Sequence, residues 1–301
     1  VRAMKAAGYL DIDEPFDGLF TQGMVCHETY KDEAGKWLFP EEVTKEAGGA
    51  VQVETGRPVK IGRSESMSKS KKNVVDPEAI IENYGADTAR LFMLSDTPPE
   101  RDLEWSDAGV DGAWRYLNRL FRVVAEPAVP VTERGSRAPA TFDDAAAALR
   151  KETHKTIEGV TDDIERFHFN RAVARIRELT NAIVKFGESG GGEGGAGTGW
   201  ALREALEATI KLVAPMTPHL AEELWHLLGH EALVAEESWP LADPSLAVDD
   251  AVTIAVQING KLRGTIDLPR GAAQEVAEAA ALRLPAVAGA TDGKAFRRVI
   301  V

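Results

Sequence analysis

Hydrophobic and polar residues follow different spacings in three successive parts of the chain. In residues 1–107, short apolar clusters separated by Gly, Pro and Asp predict strands mixed with short helices. In residues 108–245, apolar residues recur every three or four positions, which indicates amphipathic helices. In residues 246–301, alternation returns and is followed by one more helical pattern. These spacings predict a multi-domain α+β protein with three domains at those boundaries.

The first region is predicted to contain strands at 18–30 and 50–62, where β-branched and aromatic residues cluster. Two short helices should follow the Asp-Pro pair at 76–77, because Asp is a favoured N-cap and Pro a favoured first helical residue. Gly85 separates these two helices. A further short helix at the start of the chain should end at Gly8, since Gly is a typical C-terminal cap.

The middle region is predicted to be an antiparallel helical bundle. Its helices are expected at 107–126, 142–166, 168–187, 200–213 and 218–228. One apolar stripe is predicted on the first of them, formed by Trp114, Leu117, Phe121 and Val124. The Gly-rich segment 190–199 interrupts the helical pattern and indicates a linker between helices.

The last region is predicted to fold as a ββαβ unit. Alternating apolar residues at 252–258 form a strand, Asn259-Gly260 is a strong two-residue hairpin signal, and 261–268 returns as the partner strand. A helix at 272–284 and a final strand at 295–301 complete the unit. Because that strand reaches the last residue and the chain starts with Val rather than Met, we expect a fragment.

The composition narrows the class of protein. The 301 residues are 44% hydrophobic and 28% charged with a formal net charge of −13, which is typical of a folded, soluble protein rather than a disordered one. No apolar run approaches the roughly 20 residues of a membrane span, and the start resembles no signal peptide. A single cysteine, Cys26, excludes a disulfide framework and indicates a reducing cytoplasm. We expect a cytoplasmic monomer without membrane contact.

Three patterns could indicate a dinucleotide site, a zinc site or a serine nucleophile, but each lacks a feature that such a site requires. Glycines within 190–199 match a dinucleotide fingerprint, but no strand precedes them, so a Rossmann oxidoreductase is rejected. His226 and His230 have the spacing of zinc ligands on a helix, but Gly229 should end that helix between them. No metal site is therefore predicted. The serines near residue 68 lack the glycines of a hydrolase nucleophile elbow.

One short stretch, SESMSKSKKN at 64–73, concentrates positive charge in this acidic chain. From Lys60 to Lys72 there are five basic residues and one acidic residue. Lysines suit phosphate oxygens, and Ser hydroxyls and loop amides can donate to them. In phosphoryl or nucleotidyl transfer, such donors act where negative charge develops in the transition state. A bare lysine cluster would by default be a solvated basic turn, so the order of the residues has to distinguish the two.

The order of residues in MSKSKKNVVDP (67–77) resembles the second signature, Lys-Met-Ser-Lys-Ser, of the class I aminoacyl-tRNA synthetases. Within that class the stretch is most similar to the leucyl enzymes, because the isoleucyl, valyl and methionyl enzymes usually have Gly before the Asn. Other segments resemble the leucyl enzymes in the same order, namely EPFDGLFTQGMV (14–25), YGADTARLFMLSDTPPERDLEWSD (84–107), LVAPMTPHLAEELWHLLG (212–229), SWP (238–240) and VQINGKLRG (256–264). The resemblance spans essentially the whole chain.

Two departures from the family pattern are visible. Ser66 stands where the signature has its first Lys, although Lys71 or Lys72 could restore part of the charge. The first signature, His-x-Gly-His, is absent, as are the leucine-binding half and the editing domain that the family carries upstream. The resemblance therefore implies the C-terminal part of a leucyl-tRNA synthetase, inactive in aminoacylation on its own.

The resemblance implies a fold and a function for each region. Residues 1–107 would be the C-terminal remnant of a Rossmann-type catalytic domain, 108–245 an anticodon-binding bundle, and 246–301 a small tRNA-binding domain. The full enzyme would ligate leucine to tRNA(Leu) through a leucyl-adenylate, with ATP and its Mg²⁺ as substrate and no tightly bound cofactor. A non-catalytic tRNA-binding module and an isoleucyl or valyl enzyme are the alternatives.

The resemblance also implies roles for individual residues. Lys69 would neutralise the ATP phosphates, and Met67 would anchor the loop through apolar contacts. Ser68 and Ser70 would position the loop or donate to phosphate. Basic residues that could contact tRNA phosphates are Lys71, Lys72, Arg115, Arg119, Arg122, Arg171, Arg175, Lys261 and Arg263. The last two lie two apart in one strand and should face the same side. For each arginine, an ordinary solvated helix face is the alternative.

Overall fold

The structure, a computed structural model, describes residues 1–46, 48–190, 195, 197–247, 251–269 and 271–291. The chain separates into two units, Val1–Ala242 and Asp243–Val301, and each has its own hydrophobic core. Its mixture of helices and sheets is that of a multi-domain α+β protein, as predicted. The finer division of the first unit at residue 107 stays a prediction. Among the helices that the structure describes, none combines the length and the apolar character needed to cross a membrane.

A mixed sheet lies in the described residues of the first unit. Its strands are β1 (Val25–Lys31), β2 (Trp37–Leu38), β3 (Val43–Glu46), β4 (Gly49–Gln52), β5 (Pro58–Ser66) and β6 (Leu103–Glu104). The strand order is β2-β1-β5-β4-β3, and β6 pairs with β1 beside this path. β1 and β6 are parallel, whereas the other pairs are antiparallel. A small core of Tyr30, Leu38, Ala50 and Val59 packs within this sheet region.

The first strand is shorter than predicted. Residues 18–24 are irregular, and β1 starts only at Val25. Gly23 lies so close to the neighbouring backbone that a Cβ there would overlap the carbonyl of Arg101. Its amide donates to the carbonyl of Pro99, at 2.9 Å. A close crossing of two loops, which no local sequence pattern reveals, therefore occupies the predicted start of the strand.

The first unit is otherwise helical. Its described helices are α1 (Arg2–Ala6), α2 (Pro77–Tyr84), α3 (Ala86–Ser95), α4 (Asp107–Ala125), α5 (Asp144–Glu165), α6 (Phe169–Glu188), α7 (Thr198–Val213) and α8 (Pro218–Leu227). The side chains of Asp76, Ser106 and Asp143 accept hydrogen bonds from the first turns of α2, α4 and α5, as N-caps do. Gly229 follows the end of α8 with a φ of +88°, a conformation that favours glycine. The predicted start of α2 and end of α8 are thus confirmed.

Helices α3 to α8 pack around the main core of this unit. The buried residues of α4 are Val110, Ala113, Tyr116, Leu117, Leu120 and Val124. Leu117 and Val124 confirm part of the predicted stripe. Trp114 and Phe121 are 43% and 39% exposed, so the prediction that they belong to the buried stripe is wrong. The buried face of α4 is centred about one residue away from the stripe that the sequence pattern suggested.

The second unit is built on a hairpin. It contains a short helix α9 (Pro244–Ala247), strands β7 (Ala251–Ile258) and β8 (Lys261–Pro269), and helices α10 (Gln274–Leu282) and α11 (Pro285–Thr291). Asn259 and Gly260 have φ values of +50° and +76°, as a two-residue type I′ turn requires, so the predicted hairpin is confirmed. The predicted strand at 295–301 lies outside the described residues.

Candidate functional site

The basic loop begins where β5 ends, beside the start of β1. Ser66, the last residue of β5, pairs with Cys26. The amide of Met67 donates to the carbonyl of Val25 at 3.0 Å. At its other end the loop leads into α2, whose N-cap is Asp76. The chain between Met67 and Asp76 is therefore held at both ends by regular structure.

Asn73 fixes the base of this loop. Its side chain is fully buried, and its Nδ2 lies 3.1 Å from the carbonyl oxygen of His27 and 3.0 Å from that of Glu65. A weaker contact of 3.4 Å reaches the carbonyl of Ser66, and Oδ1 accepts the amide of Ser68 at 2.9 Å. One amide side chain thus joins β1, β5 and the loop. The sequence alone predicts no role for Asn73, although its place next to two valines is a signal that can indicate burial.

The two serines of the loop contact each other. The Oγ atoms of Ser68 and Ser70 are 2.8 Å apart, and either can donate. The amides of Lys71 and Lys72 donate to the carbonyls of Ser68 and Lys69, at 3.1 and 3.3 Å, and so close a tight turn around the serines. Because a hydroxyl both donates and accepts, the pair keeps capacity for one further bond to a ligand.

The three lysines of the loop have different surroundings. Lys71 forms an ion pair with Glu65, and this hydrogen bond lowers the pKa of the Glu65 carboxyl. Lys72 Nζ lies 3.7 Å from Glu42 Oε2. Lys69 is exposed, and within the described ranges no carboxylate comes within ion-pair distance of it. Of the three, Lys69 alone is therefore available to an incoming anion.

The predicted arginines of α4 share one exposed face. Arg115, Arg119 and Arg122 are all exposed, and Arg119 Nη1 donates to Asn181 Oδ1 at 2.7 Å. With about 100° of rotation per residue, the exposed Trp114 and Phe121 lie roughly 80–160° around the helix from these arginines, at the border of the buried face. The arginines therefore occupy a solvent-facing side of α4, and the two aromatic rings are exposed on a different side of the helix.

Two arginines of α6 have a buried internal partner. Arg175 Nε lies 2.7 Å from Asp163 Oδ2, and Arg171 Nε lies 3.2 Å from Asp163 Oδ1. The Asp163 side chain is only 1% exposed, whereas the two arginines keep about half of their surface in solvent. Two positive charges against one negative charge leave a surplus at the surface. Their contact with tRNA stays a prediction, but they have a structural role that the sequence did not show.

Lys261 and Arg263 lie in the second unit, at the start of β8, and both are exposed. Val256 pairs with Gly264 and Gln257 with Leu262, which leaves Arg263 as an extra residue in the ladder. Such a bulge interrupts the alternation of side chains between the two faces of a strand. The prediction that both residues face one side assumed regular alternation, and it has no support from this pairing.

Buried charges in the bundle are matched internally. Glu204 accepts hydrogen bonds from Arg150 Nε at 2.8 Å and from His154 Nε2 at 3.2 Å. Burial acts to raise the pKa of Glu204, but the bonds from His154 and Arg150 outweigh burial and lower it. His230 Nε2 contacts Glu207 at 2.9 Å. In the part of the chain that the structure describes, no group of three or more His, Cys, Asp or Glu side chains is arranged to hold a metal ion.

Two family models match the chain. Residues 59–106, which contain β5 except its first residue, the loop, α2 and α3, match the family model for tRNA synthetases class I (I, L, M and V). Residues 146–278 match the anticodon-binding domain of tRNA ligases. The first match contains the loop built on Asn73, and the second contains most of the helical bundle and the hairpin.

The curated relatives of this chain are named for leucine. A protein of Paramagnetospirillum magneticum is 59% identical over all 301 residues, and one of Rhodospirillum rubrum is 56% identical. Both are named leucine–tRNA ligase. The chain is homologous to leucine–tRNA ligases over its whole length. It spans about a third of those relatives, 34% of each. This homology favours the leucyl prediction over the isoleucyl, valyl and binding-module alternatives.

A solved structure agrees with the leucyl homology. The crystal structure of a ternary complex of Agrobacterium radiobacter K84 agnB2 LeuRS with tRNA and LeuAMS has a TM-score of 0.65 to this chain at 30% identity. The match covers 99% of this chain and 34% of the LeuRS chain. The two chains therefore share a fold over the matched residues.

Proposed function

We propose that this chain is the C-terminal part of a leucine–tRNA ligase and supplies the phosphate-binding loop of the adenylation step. In that step the leucine carboxylate attacks the α-phosphorus of ATP. The bond from that phosphorus to the bridging oxygen breaks, and pyrophosphate leaves with the electron pair. Negative charge grows on the leaving group in the transition state, so a cation placed there stabilises the transition state more than the ground state.

The observation that supports this proposal most directly is the isolation of Lys69 on a fixed loop. Its ammonium is exposed and has no carboxylate near it in the described residues, while the loop base is fixed by Asn73. We assign Lys69 the neutralisation of the pyrophosphate charge, and Ser68 with Ser70 hydrogen bonding to a phosphate oxygen. The Mg²⁺ would enter with ATP as part of the substrate.

Because residue 66 is Ser rather than Lys, more of the phosphate charge would have to be neutralised by Lys69. The family signature has Lys at position 66, and Lys71 and Lys72 are the nearest substitutes for it. Both hold ion pairs with glutamates of this chain, which weakens their attraction for phosphate. We infer that Lys69 carries the principal charge toward ATP.

We further propose that the bundle and the hairpin unit bind tRNA(Leu), and that leucine and the upstream part of the active site are bound by sequence outside this chain. The strands β1, β5 and β6 would then be the end of a class I Rossmann-type catalytic domain, and α4–α8 the anticodon-binding domain. The match of residues 146–278 to the anticodon-binding domain supports this arrangement. We expect the ligase to act as a cytoplasmic monomer.

The test of the catalytic proposal is leucine-dependent exchange of pyrophosphate into ATP by the full-length ligase that contains these residues. Lys69→Ala should lower the exchange rate about 100-fold, the effect of removing one donor from a developing charge. Lys60→Ala, an exposed lysine on β5, is the matched control and should leave the rate unchanged. An unchanged rate for Lys69→Ala would contradict the assignment.

The tRNA proposal has a separate test. Replacing the three exposed arginines of α4 with glutamine should weaken tRNA binding and reduce its dependence on salt by roughly one unit of slope per lost phosphate contact. The pyrophosphate exchange should stay unchanged, because this step precedes transfer to tRNA. A ligase that binds tRNA but shows no exchange would instead favour a non-catalytic binding module.

A further inference from the structure

The backbone of Lys72 is in an unusual conformation. Its φ is +55°, in the left-handed region that residues with a side chain rarely adopt. Its amide donates to the carbonyl of Lys69, and the next residue is the buried Asn73. Lys72 therefore lies next to the residue that fixes the base of the loop, and its side chain contacts a different segment of the chain.

That segment is the turn between β2 and β3. Lys72 Nζ lies 4.5 Å from the centre of the Phe39 ring and 3.7 Å from Glu42 Oε2. The turn is itself ordered, because Phe39 and Glu42 enclose a short 3₁₀ helix at Pro40–Glu42. The amide of Phe39 donates to Glu42 Oε2 at 2.7 Å, and the carbonyl of Glu42 accepts the amide of Val53 at 2.9 Å. Lys72 is thus attached to an anchor that has its own hydrogen bonds.

The anchor lies outside the residues that match the class I synthetase family model, which begin at residue 59. Lys71, by contrast, contacts Glu65 within β5, the strand that leads into the loop. The two lysines next to Asn73 therefore hold the loop from two directions. Lys69 is left as the unpaired cation among the described residues of the loop.

We propose that Lys72 is a positioning residue for adenylate formation, which holds the loop against Phe39 and Glu42 so that Lys69 meets the phosphates. This inference rests on the proposed function. Without the contacts of Lys72 with Phe39 and Glu42, which we call the Lys72 bridge, the loop would keep the base that Asn73 fixes. Its tip around Lys69 would sample more conformations. A smaller fraction of molecules would then present Lys69 productively, and the rate would fall without any loss of a group that touches ATP.

The test uses pyrophosphate exchange by the full-length ligase with Lys72→Met, Lys72→Gly, Lys72→Arg and Glu42→Gln. A cation–π contact and a partly exposed ion pair together predict a loss of about fivefold in kcat for Lys72→Met and Lys72→Gly, with KM for leucine unchanged. Lys72→Arg should retain the rate, because a guanidinium can also lie over the Phe39 ring and pair with Glu42. Combining Lys72→Met with Glu42→Gln should cost no more than Lys72→Met alone, because the two residues share one contact.

Controls separate this inference from the proposed function. Lys60→Met removes the same charge from exposed β5 and should keep full activity and an unchanged melting temperature. Wild-type rates for Lys72→Met beside a strong defect of Lys69→Ala would overturn the positioning role and leave the proposed function intact. Full activity of Lys72→Gly beside a defect of Lys72→Met would show that backbone conformation, not the bridge, is responsible. An inactive wild-type ligase, or a harmless Lys69→Ala, would refute the proposed function itself.

Discussion

Replacement of Asn73 by Ala offers the sharpest test of how the loop is held. The substitution removes three hydrogen bonds of 2.9 to 3.1 Å and one weak contact of 3.4 Å. At a net value of about 1 kcal/mol for each good bond, the loss amounts to about 3 kcal/mol. Because the bonds connect the loop to β1 and β5, we expect most of this free energy to appear as local opening rather than global unfolding.

Amide hydrogen exchange measured by mass spectrometry reports that local opening. A loss of about 3 kcal/mol corresponds to an increase of about 100-fold in the opening equilibrium, and so in exchange of residues 66–73. Asn83→Ala is the matched control, because Asn83 is exposed and donates only within α2, to the carbonyl of Ala79. It should leave exchange in the loop unchanged.

A second variant tests the chemistry of the contact. Asn73→Asp keeps an acceptor for the amide of Ser68 but turns the other oxygen toward the carbonyls of His27 and Glu65. Ionised, it should open the loop at least as much as Asn73→Ala does. Since a protonated carboxyl can donate, its defect should shrink as pH falls, whereas that of the Ala variant should not. Loop exchange within a factor of three of wild type for Asn73→Ala would refute the argument that this amide fixes the loop.

Three further predictions follow from other contacts. The lowered pKa of Glu204 means that its bonds stabilise the fold above the ordinary Glu pKa of about 4.3, and that this stabilisation is lost as pH falls through the lowered value. The difference in melting temperature between wild type and Glu204→Gln should therefore shrink as pH falls from about 5 to about 3. Asp163→Ala should lower the unfolding free energy of the bundle by about 2 kcal/mol, measured by urea denaturation, whereas Asp162→Ala, which removes only an exposed pair, should cost under about 1 kcal/mol. Ser66→Lys should raise pyrophosphate exchange at subsaturating ATP more than Ser64→Lys does, since Ser66 is one strand repeat nearer the loop. Equal effects of the two variants would indicate that only the added positive charge matters and not its position.

Local chemistry was sufficient to predict several elements from the sequence. An Asp followed by Pro starts α2 because side-chain capping and a fixed φ both act within one turn. Asn259-Gly260 forms the hairpin because both residues tolerate positive φ. These signals depend on neighbours in the chain, so no tertiary information was needed to interpret them.

The buried face of a helix was harder to predict, because apolar residues can occur on more than one face of the same helix. On α4, the stripe through Trp114 and Phe121 and the buried stripe through Ala113 and Leu120 have the same spacing and differ by one position. Periodicity identifies the helix but cannot tell which stripe meets the core when large aromatic residues lie outside it. The exposure of Trp114 and Phe121 became visible only when the packing of α4 was known.

Ion pairs were also hard to predict from the sequence, because the paired residues can lie far apart along the chain. The pairing of Arg171 and Arg175 with Asp163 depends on the turn that reverses the chain between α5 and α6. The contact of Lys72 with Glu42 spans 30 residues and depends on the order of strands in the sheet. Sequence position therefore predicted which residues are basic but not which of them remain unpaired, and that difference determines which can serve a phosphate.

Under the proposed function, the charge balance of the loop explains how an acidic chain would hold a triphosphate with serine in place of a signature lysine. Three lysines at 69, 71 and 72 face two glutamates, Glu65 and Glu42, so the loop offers about one net positive charge. If all three lysines were free, their mutual repulsion would favour an open loop in the absence of ATP. Pairing two of them with glutamates lets the loop close around Asn73 before ATP arrives and concentrates the remaining charge at Lys69. The glutamates are then as much a part of the proposed phosphate site as the lysines, because they determine where its single available charge lies.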